Sequence, residues 1–193
     1  LFSVRVPVTV GEIEKLDVRW RVGTRVDCID RNILKIMKKA GCEEQAFGIE
    51  SLDQDVLDRN NKRTSLEEIY KAMEYSKEVG MLTRLYFIIG LPGEKRGFAK
   101  RLEEFAKKYE PDAINVHTFV PFPGSDIYEN PKKYGIELKE KDFSSYVMAL
   151  GLKEDELNTD FVFKHDIMSE EELKQERKEA IEFVKNMKLV KNL

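Results

Sequence analysis

Apolar positions along this chain fall into two alternating rhythms. The segment "DRNILKIMKKAGC" places Ile33, Leu34, Ile36, Met37 and Ala40 at three-four spacing behind Asp30. That spacing predicts an amphipathic helix capped by Asp30 and ended by a left-handed residue at Gly41. The short apolar run "QAFGI" follows and reads as a strand. The pair then recurs: "SLEEIYKAMEYSKEVGM" opens on the capping box of Ser65 and Glu68, closes at Gly80 and feeds the strand "LTRLYFIIG". A third helix, "GFAKRLEEFAKKYEP", carries Phe98, Leu102, Phe105 and Ala106 on one face, stops before Pro111 and feeds "AINVHTFV". Upstream, "DVRWRVGTR" predicts a strand ending near Arg25, preceded by a helix around Val10 to Leu16.

Apolar strands separated by amphipathic helices, at a period of roughly 40 residues, predict an α/β chain with a parallel sheet and helices packed on it. Ligands meet such sheets at the carboxyl ends of the strands. With 193 residues the chain is shorter than a full eight-fold barrel, which needs about 250. The expectation is therefore a partial (βα) barrel of the TIM type over residues 1–125, truncated on its N-terminal side. After Gly124 the alternation fades. Residues 126–193 are expected to form a loop-rich, mainly helical extension with one or two brief helices. Its last helix starts at a second capping box, Ser169 and Glu172, and carries Leu173, Ala180, Ile181, Val184 and Met187.

Composition narrows the class. Hydrophobic residues make up 41% and charged residues 36%, the net charge is -3, and no apolar run approaches the ~20 residues of a membrane span. Nor does the start resemble a signal peptide. A cytoplasmic chain without a membrane partner is expected, and without a basic patch nucleic acid is not an expected partner. The high charge points to a thermophilic source. The chain begins at Leu1 with no initiator Met, as a fragment or processed product would. Cys28 and Cys42 lie fourteen positions apart, so neither a zinc nor an iron-sulfur spacing can be read from them, and both are expected to be small buried residues.

The chemistry is concentrated at strand ends. Glu50 and Ser51 follow directly on a buried strand. Ser51 can be read as the cap of "SLDQDVLDR", with Asp53 and Asp55 in its first turn, but that leaves Glu50 as a group facing a ligand. In "GLPGE", Pro92 and Gly93 predict a turn with Glu94 opening the next helix, while Gly90 and Gly93 would let backbone approach a flat ligand closely. "FVPFPGSDIY" exposes backbone in the same way around Pro121, Pro123 and Gly124. Arg25 is either a surface residue or a holder of a carboxylate. His117, inside an apolar strand, reads as a core or pocket-wall residue, and His165 as exposed. Phosphate-binding loop, GxGxxG and nucleophile-elbow motifs are absent from the sequence.

Together, "VRWRVGTRVDCIDRNILKIMKKAGCEEQAFGIES", "LTRLYFIIGLPGE" and "INVHTFVPFPGSDIY" resemble the radical S-adenosylmethionine superfamily over about Leu16 to Tyr128. The nearest branch in appearance holds methylthiotransferases and cobalamin-domain radical enzymes. The resemblance implies strands three to six of a six-unit partial barrel. It also implies that Glu50, with Ser51 nearby, contacts the ribose of S-adenosylmethionine and that Arg25 lies near the cofactor. Ile89 and Gly90 would lie beside the adenine, and Val120 and Pro121 along its edge. The CxxxCxxC segment that holds the family's 4Fe-4S cluster, and the Gly-rich segment that binds the cofactor's amino group, are both missing from this sequence. The resemblance thus implies the C-terminal part of an iron-sulfur oxidoreductase or transferase acting on an organic substrate, with the cluster supplied by the intact parent protein.

Two other readings use the same residues. One is a non-catalytic binding or interaction module with a half-barrel fold, its uncovered sheet edge pairing with the missing N-terminal barrel portion or with a second copy. The other is a cofactor-independent lyase or isomerase, which needs a catalytic Lys or paired acids at the strand ends, and none stands out.

Overall fold

The computed structural model describes residues 6–139 and 160–187. Four parallel strands form one sheet in chain order: β1 (Trp20–Thr24), β2 (Cys42–Glu50), β3 (Leu82–Ile89) and β4 (Ala113–Thr118). The connections run through α2 (Arg31–Lys39), then α3 (Gln54–Arg59) and α4 (Leu66–Val79), then α5 (Phe98–Tyr109). A first helix, α1 (Val6–Glu14), precedes the sheet, and α6 (Asp126–Glu129) follows it. A two-stranded antiparallel ribbon, β5 (Ile136–Leu138) and β6 (Phe163–His165), leads into the last helix, α7 (Glu170–Asn186).

Local chemistry accounts for most boundaries. The Asp30 carboxylate accepts the Ile33 N–H at the start of α2, and both expected capping boxes form, on α4 and α7. Gly80 ends α4 in the left-handed conformation. At α3 the cap is Asp53, which accepts the Asp55 N–H; the Ser51 hydroxyl instead accepts the Asp53 N–H and shapes the turn before the helix. Glu94 does not open α5. The helix begins at Phe98, and Glu94 lies in the preceding loop with no exposed surface.

The strands alternate. On β3, Thr83, Leu85, Phe87 and Ile89 are buried under the helices, whereas Leu82, Arg84, Tyr86 and Ile88 face the other way and are half-buried. The helix side unites Phe47 and Ile49 of β2 with Leu85, Phe87 and Ile114, packed against Ile69, Leu102 and Phe105 of α4 and α5. Each such buried side chain contributes roughly 1.5–3 kcal/mol. The opposite face carries Arg21, Gly23, Glu44, Ala46, Arg84 and Tyr86 around open space. A sheet covered on one face and hollow on the other is what a partial barrel requires.

The α7 helix packs along α5 and β4, and its Ala180 lies in the same core as Phe87 and Phe105. The ribbon builds a second cluster in which Phe161 and Phe163 pack with Leu91, Phe119 and Val120. The ribbon strands were not legible in the sequence, which suggested only loops and brief helices there; expectations for 140–159 lie outside the described residues. Four side chains differ from expectation, among them His117 of β4, which is exposed rather than a core or pocket-wall residue. Cys28 is exposed while Cys42 is buried, and Ile36 is 42% exposed because α2 turns only Leu34, Met37 and Ala40 fully inward. The His165 side chain is fully buried, drawn in by three hydrogen-bonding contacts with the backbone.

Candidate functional site

The inner face of the sheet forms a trough made of two adjoining cavities, of about 300 and 550 Å³, that share Gly23, Ala46 and Tyr86. Parallel pairing sets Gly23 opposite Ala46 and Gly48 opposite Tyr86, so most of the floor under β1 and β2 has little or no side chain. Tyr86 stands beside it, stacked at 5.8 Å on the exposed His117 of β4. Toward the amino ends of the strands the trough meets a two-pronged ion pair, in which Arg84 donates to both oxygens of the buried Glu44 at 2.8 and 3.0 Å. That pairing raises the Arg84 pKa above its ordinary value, chiefly through the hydrogen bond to Glu44.

At the carboxyl ends, β2 shifts register after Gly48 and Glu50 adopts φ +69°, a left-handed conformation costly for a residue with a side chain. The turn folds the Glu50 carboxylate back over Gly48, where Oε1 accepts from Lys62 Nζ at 2.9 Å. A methyl group added to Gly48 would lie 2.6 Å from that oxygen, so Gly48 is what leaves room for the pair. Arg25 sits at the same rim. It binds Asp27 through Nε and Nη2 at 2.8 and 2.9 Å, and Nη2 also donates to the carbonyls of Lys62 and Arg63, both at 3.1 Å. Arg25 thereby holds the loop that delivers Lys62. The hydrogen bond with Arg25 lowers the Asp27 pKa, and Asp27 in turn raises that of Arg25.

The expected site residues therefore divide into two groups. Arg25 and Glu50 meet at the trough through the Lys62 loop. Ser51, Ile89, Gly90, Val120 and Pro121 are buried. Strand alternation puts Ile88, not Ile89, on the inner side of β3, and the Ile89 carbonyl accepts the Phe119 N–H at 2.8 Å. Gly90 has φ +85°, and a Cβ there would lie 3.1 Å from ring atoms of both Phe161 and Phe163. Its missing side chain makes room for these two rings. Val120 belongs to the same cluster as the rings.

Sequence reading missed Lys62, Glu44, Arg84 and Tyr86. Alternation within β2 and β3 carries the signal for the last three, since it puts them all on one face. Lys62 lies in a loop, with no local pattern to distinguish it.

A 4Fe-4S cluster does not fit: the sequence has two cysteines, and burial pushes the Cys42 thiol up to about 11. Among the described residues no group of three or more His, Cys, Asp or Glu side chains could hold a metal ion.

Comparison with known proteins agrees with this architecture. An anaerobic magnesium-protoporphyrin IX monomethyl ester cyclase of Rubrivivax gelatinosus is 32% identical over 133 residues, 68% of this chain and 23% of that protein. An uncharacterized methyltransferase of Pyrococcus horikoshii is 32% identical over 116 residues, 60% of this chain and 25% of its own length. The chain thus spans about a quarter of these two relatives. In fold it is similar to the radical S-adenosylmethionine methyltransferase TsrM of Kitasatospora setae, solved with cobalamin and a 4Fe-4S cluster bound. The TM-score is 0.57 at 16% identity, covering 70% of this chain and 30% of that one. It is also similar to coproporphyrinogen III oxidase of Escherichia coli, with TM-score 0.53 at 18% identity, covering 70% and 39%. The pattern of the Radical SAM superfamily matches residues 8–107, and the chain belongs to that superfamily.

Proposed function

We propose that this chain forms the cofactor- and substrate-facing half of an enzyme that reductively cleaves S-adenosylmethionine and acts on an organic substrate. Proteins of this superfamily use S-adenosylmethionine and a 4Fe-4S cluster. The cofactor, when bound, supplies a 5′-deoxyadenosyl radical. The cluster ligands come from residues outside this sequence, since the cysteines here do not fit one. Further strands pair with the open edge of β1. The relatives are named as a cyclase and a methyltransferase, which favours transfer or ring closure over simple oxidation as the outcome.

The observation that carries this reading is the Glu50 carboxylate, held over the side-chain-poor floor at the end of β2. Lys62 occupies Oε1, leaving Oε2 to accept from a ribose hydroxyl. Arg25 fixes the loop that delivers Lys62 behind it. The expected Ile89, Gly90, Val120 and Pro121 act from behind, as the buried support of the β3 and β4 ends beside which the adenine would lie.

The test is S-adenosylmethionine affinity in the full-length protein that carries this chain, by titration calorimetry. Glu50→Ala is expected to weaken binding about tenfold or more, the loss of a charge-assisted hydrogen bond. Gly48→Ala, which displaces the carboxylate, should weaken it similarly. Unchanged affinity in both variants would remove Glu50 from the site.

A further inference from the structure

The turn that follows β3 is held from outside the sheet at every residue. Phe161 and Phe163 cover Gly90. Asn60 Nδ2 donates to the Pro92 carbonyl at 2.8 Å, and the side chain of Arg59 lies where a Cβ on Gly93 would be. Leu91 is held by His165, whose Nε2 lies 3.1 Å from the Leu91 carbonyl.

The tautomer of His165 follows from its other nitrogen. Nδ1 receives the N–H groups of Ile167 at 3.1 Å and Met168 at 3.3 Å, and backbone N–H can only donate. Nδ1 therefore carries the lone pair, Nε2 carries the proton, and Nε2 donates to Leu91. A second proton on Nδ1 would face two N–H donors. The charged groups facing the ring are Asp166, 3.7 Å from Nδ1, and Arg59 of α3, itself 3.7 Å from Asp166. The Glu94 side chain points away, to Arg101. Burial lowers the His165 pKa from its ordinary value, which agrees with the geometry.

We propose that His165 is a positioning residue: as its neutral Nε2–H tautomer it ties the ribbon to the Leu91 carbonyl and sets the Gly90–Gly93 turn beside the cofactor site. The cofactor part of this assignment rests on the reading given under Proposed function. Acidification that protonates Nδ1 expels Ile167 and Met168 from the ring, while Nε2–H goes on donating to Leu91, so it loosens the ribbon end of the tie and not the turn.

Two variants divide the ring's roles. His165→Gln keeps a donor near the Nε2 position, and His165→Asn keeps an acceptor near the Nδ1 position. The first readout is hydrogen exchange in the full-length protein without cofactor, corrected for intrinsic rates, in a Glu94→Gln background to remove that group's titration. The amide at position 94, which donates to Leu91 O, should lose about tenfold protection in His165→Asn and little in His165→Gln; the amides of Ile167 and Met168 should do the reverse. With His165 intact, protection at Ile167 and Met168 should fall as the pH drops below the ordinary histidine value of 6.5 while that at position 94 holds, and His165→Gln should abolish the step. Protection of Ile167 and Met168 that ignores pH with His165 present, or identical patterns in the two variants, would overturn the latch. The second readout is S-adenosylmethionine affinity, expected to fall about tenfold in His165→Asn and to hold in His165→Gln. A freed turn with unaltered affinity would overturn the positioning role alone, whereas the Glu50 and Gly48 variants decide the cofactor reading separately.

Discussion

Burial and charge compete at Glu94. One carboxylate oxygen accepts from Arg101 Nη2 at 2.9 Å, while Oε2 is buried without a hydrogen bond and burial outweighs Arg101, lifting the pKa from 4.5 to about 7. A folded-state pKa above the unfolded one means that the native state binds the proton more tightly. The cost of ionisation is thus absent below pH 4.5 and grows as the pH rises to about 7, reaching on the order of 3 kcal/mol. Urea unfolding of wild type and Glu94→Gln across this range is expected to show wild type losing ground to the variant as pH rises. A constant difference between them would mean that Glu94 stays ionised in the native state. His165 acts with the opposite sign, since its lowered pKa costs stability as the pH falls below 6.5. Neither group's burial was legible in the chain. "GLPGE" suggested a helix start and "FKHD" an exposed end, because local pattern cannot report what packs over either segment from elsewhere in the chain.

At the scale of the element, α5 lacks a cap from its own sequence. Gly97 precedes it in a left-handed conformation and offers no side chain. The cap comes from α7, where the Glu176 carboxylate accepts the N–H of Gly97 at 2.5 Å and of Ala99 at 2.9 Å. An anion at a helix amino end satisfies orphan donors and complements the dipole. Glu176→Ala is expected to lower stability by about 1–2 kcal/mol in denaturant unfolding. A loss below about 0.5 kcal/mol, the range of an ordinary surface change, would show that water caps the helix equally well. The contrast with α2, α4 and α7 is instructive: their caps are built from residues within three positions and were legible, whereas this one joins residues 77 to 79 positions apart.

Across the whole molecule, the hollow face and the β1 edge belong together. The outer backbone edge of Trp20–Thr24 pairs with no strand among the described residues, and Leu16 and Val18 beside it are 67% and 44% exposed. An uncovered parallel edge with apolar neighbours is a template for another strand. The 193-residue chain on its own is therefore expected to self-associate at micromolar concentration in sedimentation velocity. A monomer that unfolds in one cooperative step would instead support an autonomous binding module. No helix among the described residues is long and apolar enough to cross a membrane.

The sequence by itself determined the order of helices and strands through β4, the parallel pairing of β1 to β4 and three of the helix caps, because periodicity and capping are short-range and repeat within a dozen residues. It also picked out Arg25 and Glu50, since a charge just past a buried run marks a strand's carboxyl end. Tertiary structure decided the rest. The Glu50 contact with Lys62, the Glu44–Arg84 pair on the inner face, the Phe161 and Phe163 cover on Gly90 and the tie of His165 to Leu91 each join segments at least a dozen residues apart. Burial is a property of what packs against a residue, so it emerges only when the ribbon and the last helix close on the sheet.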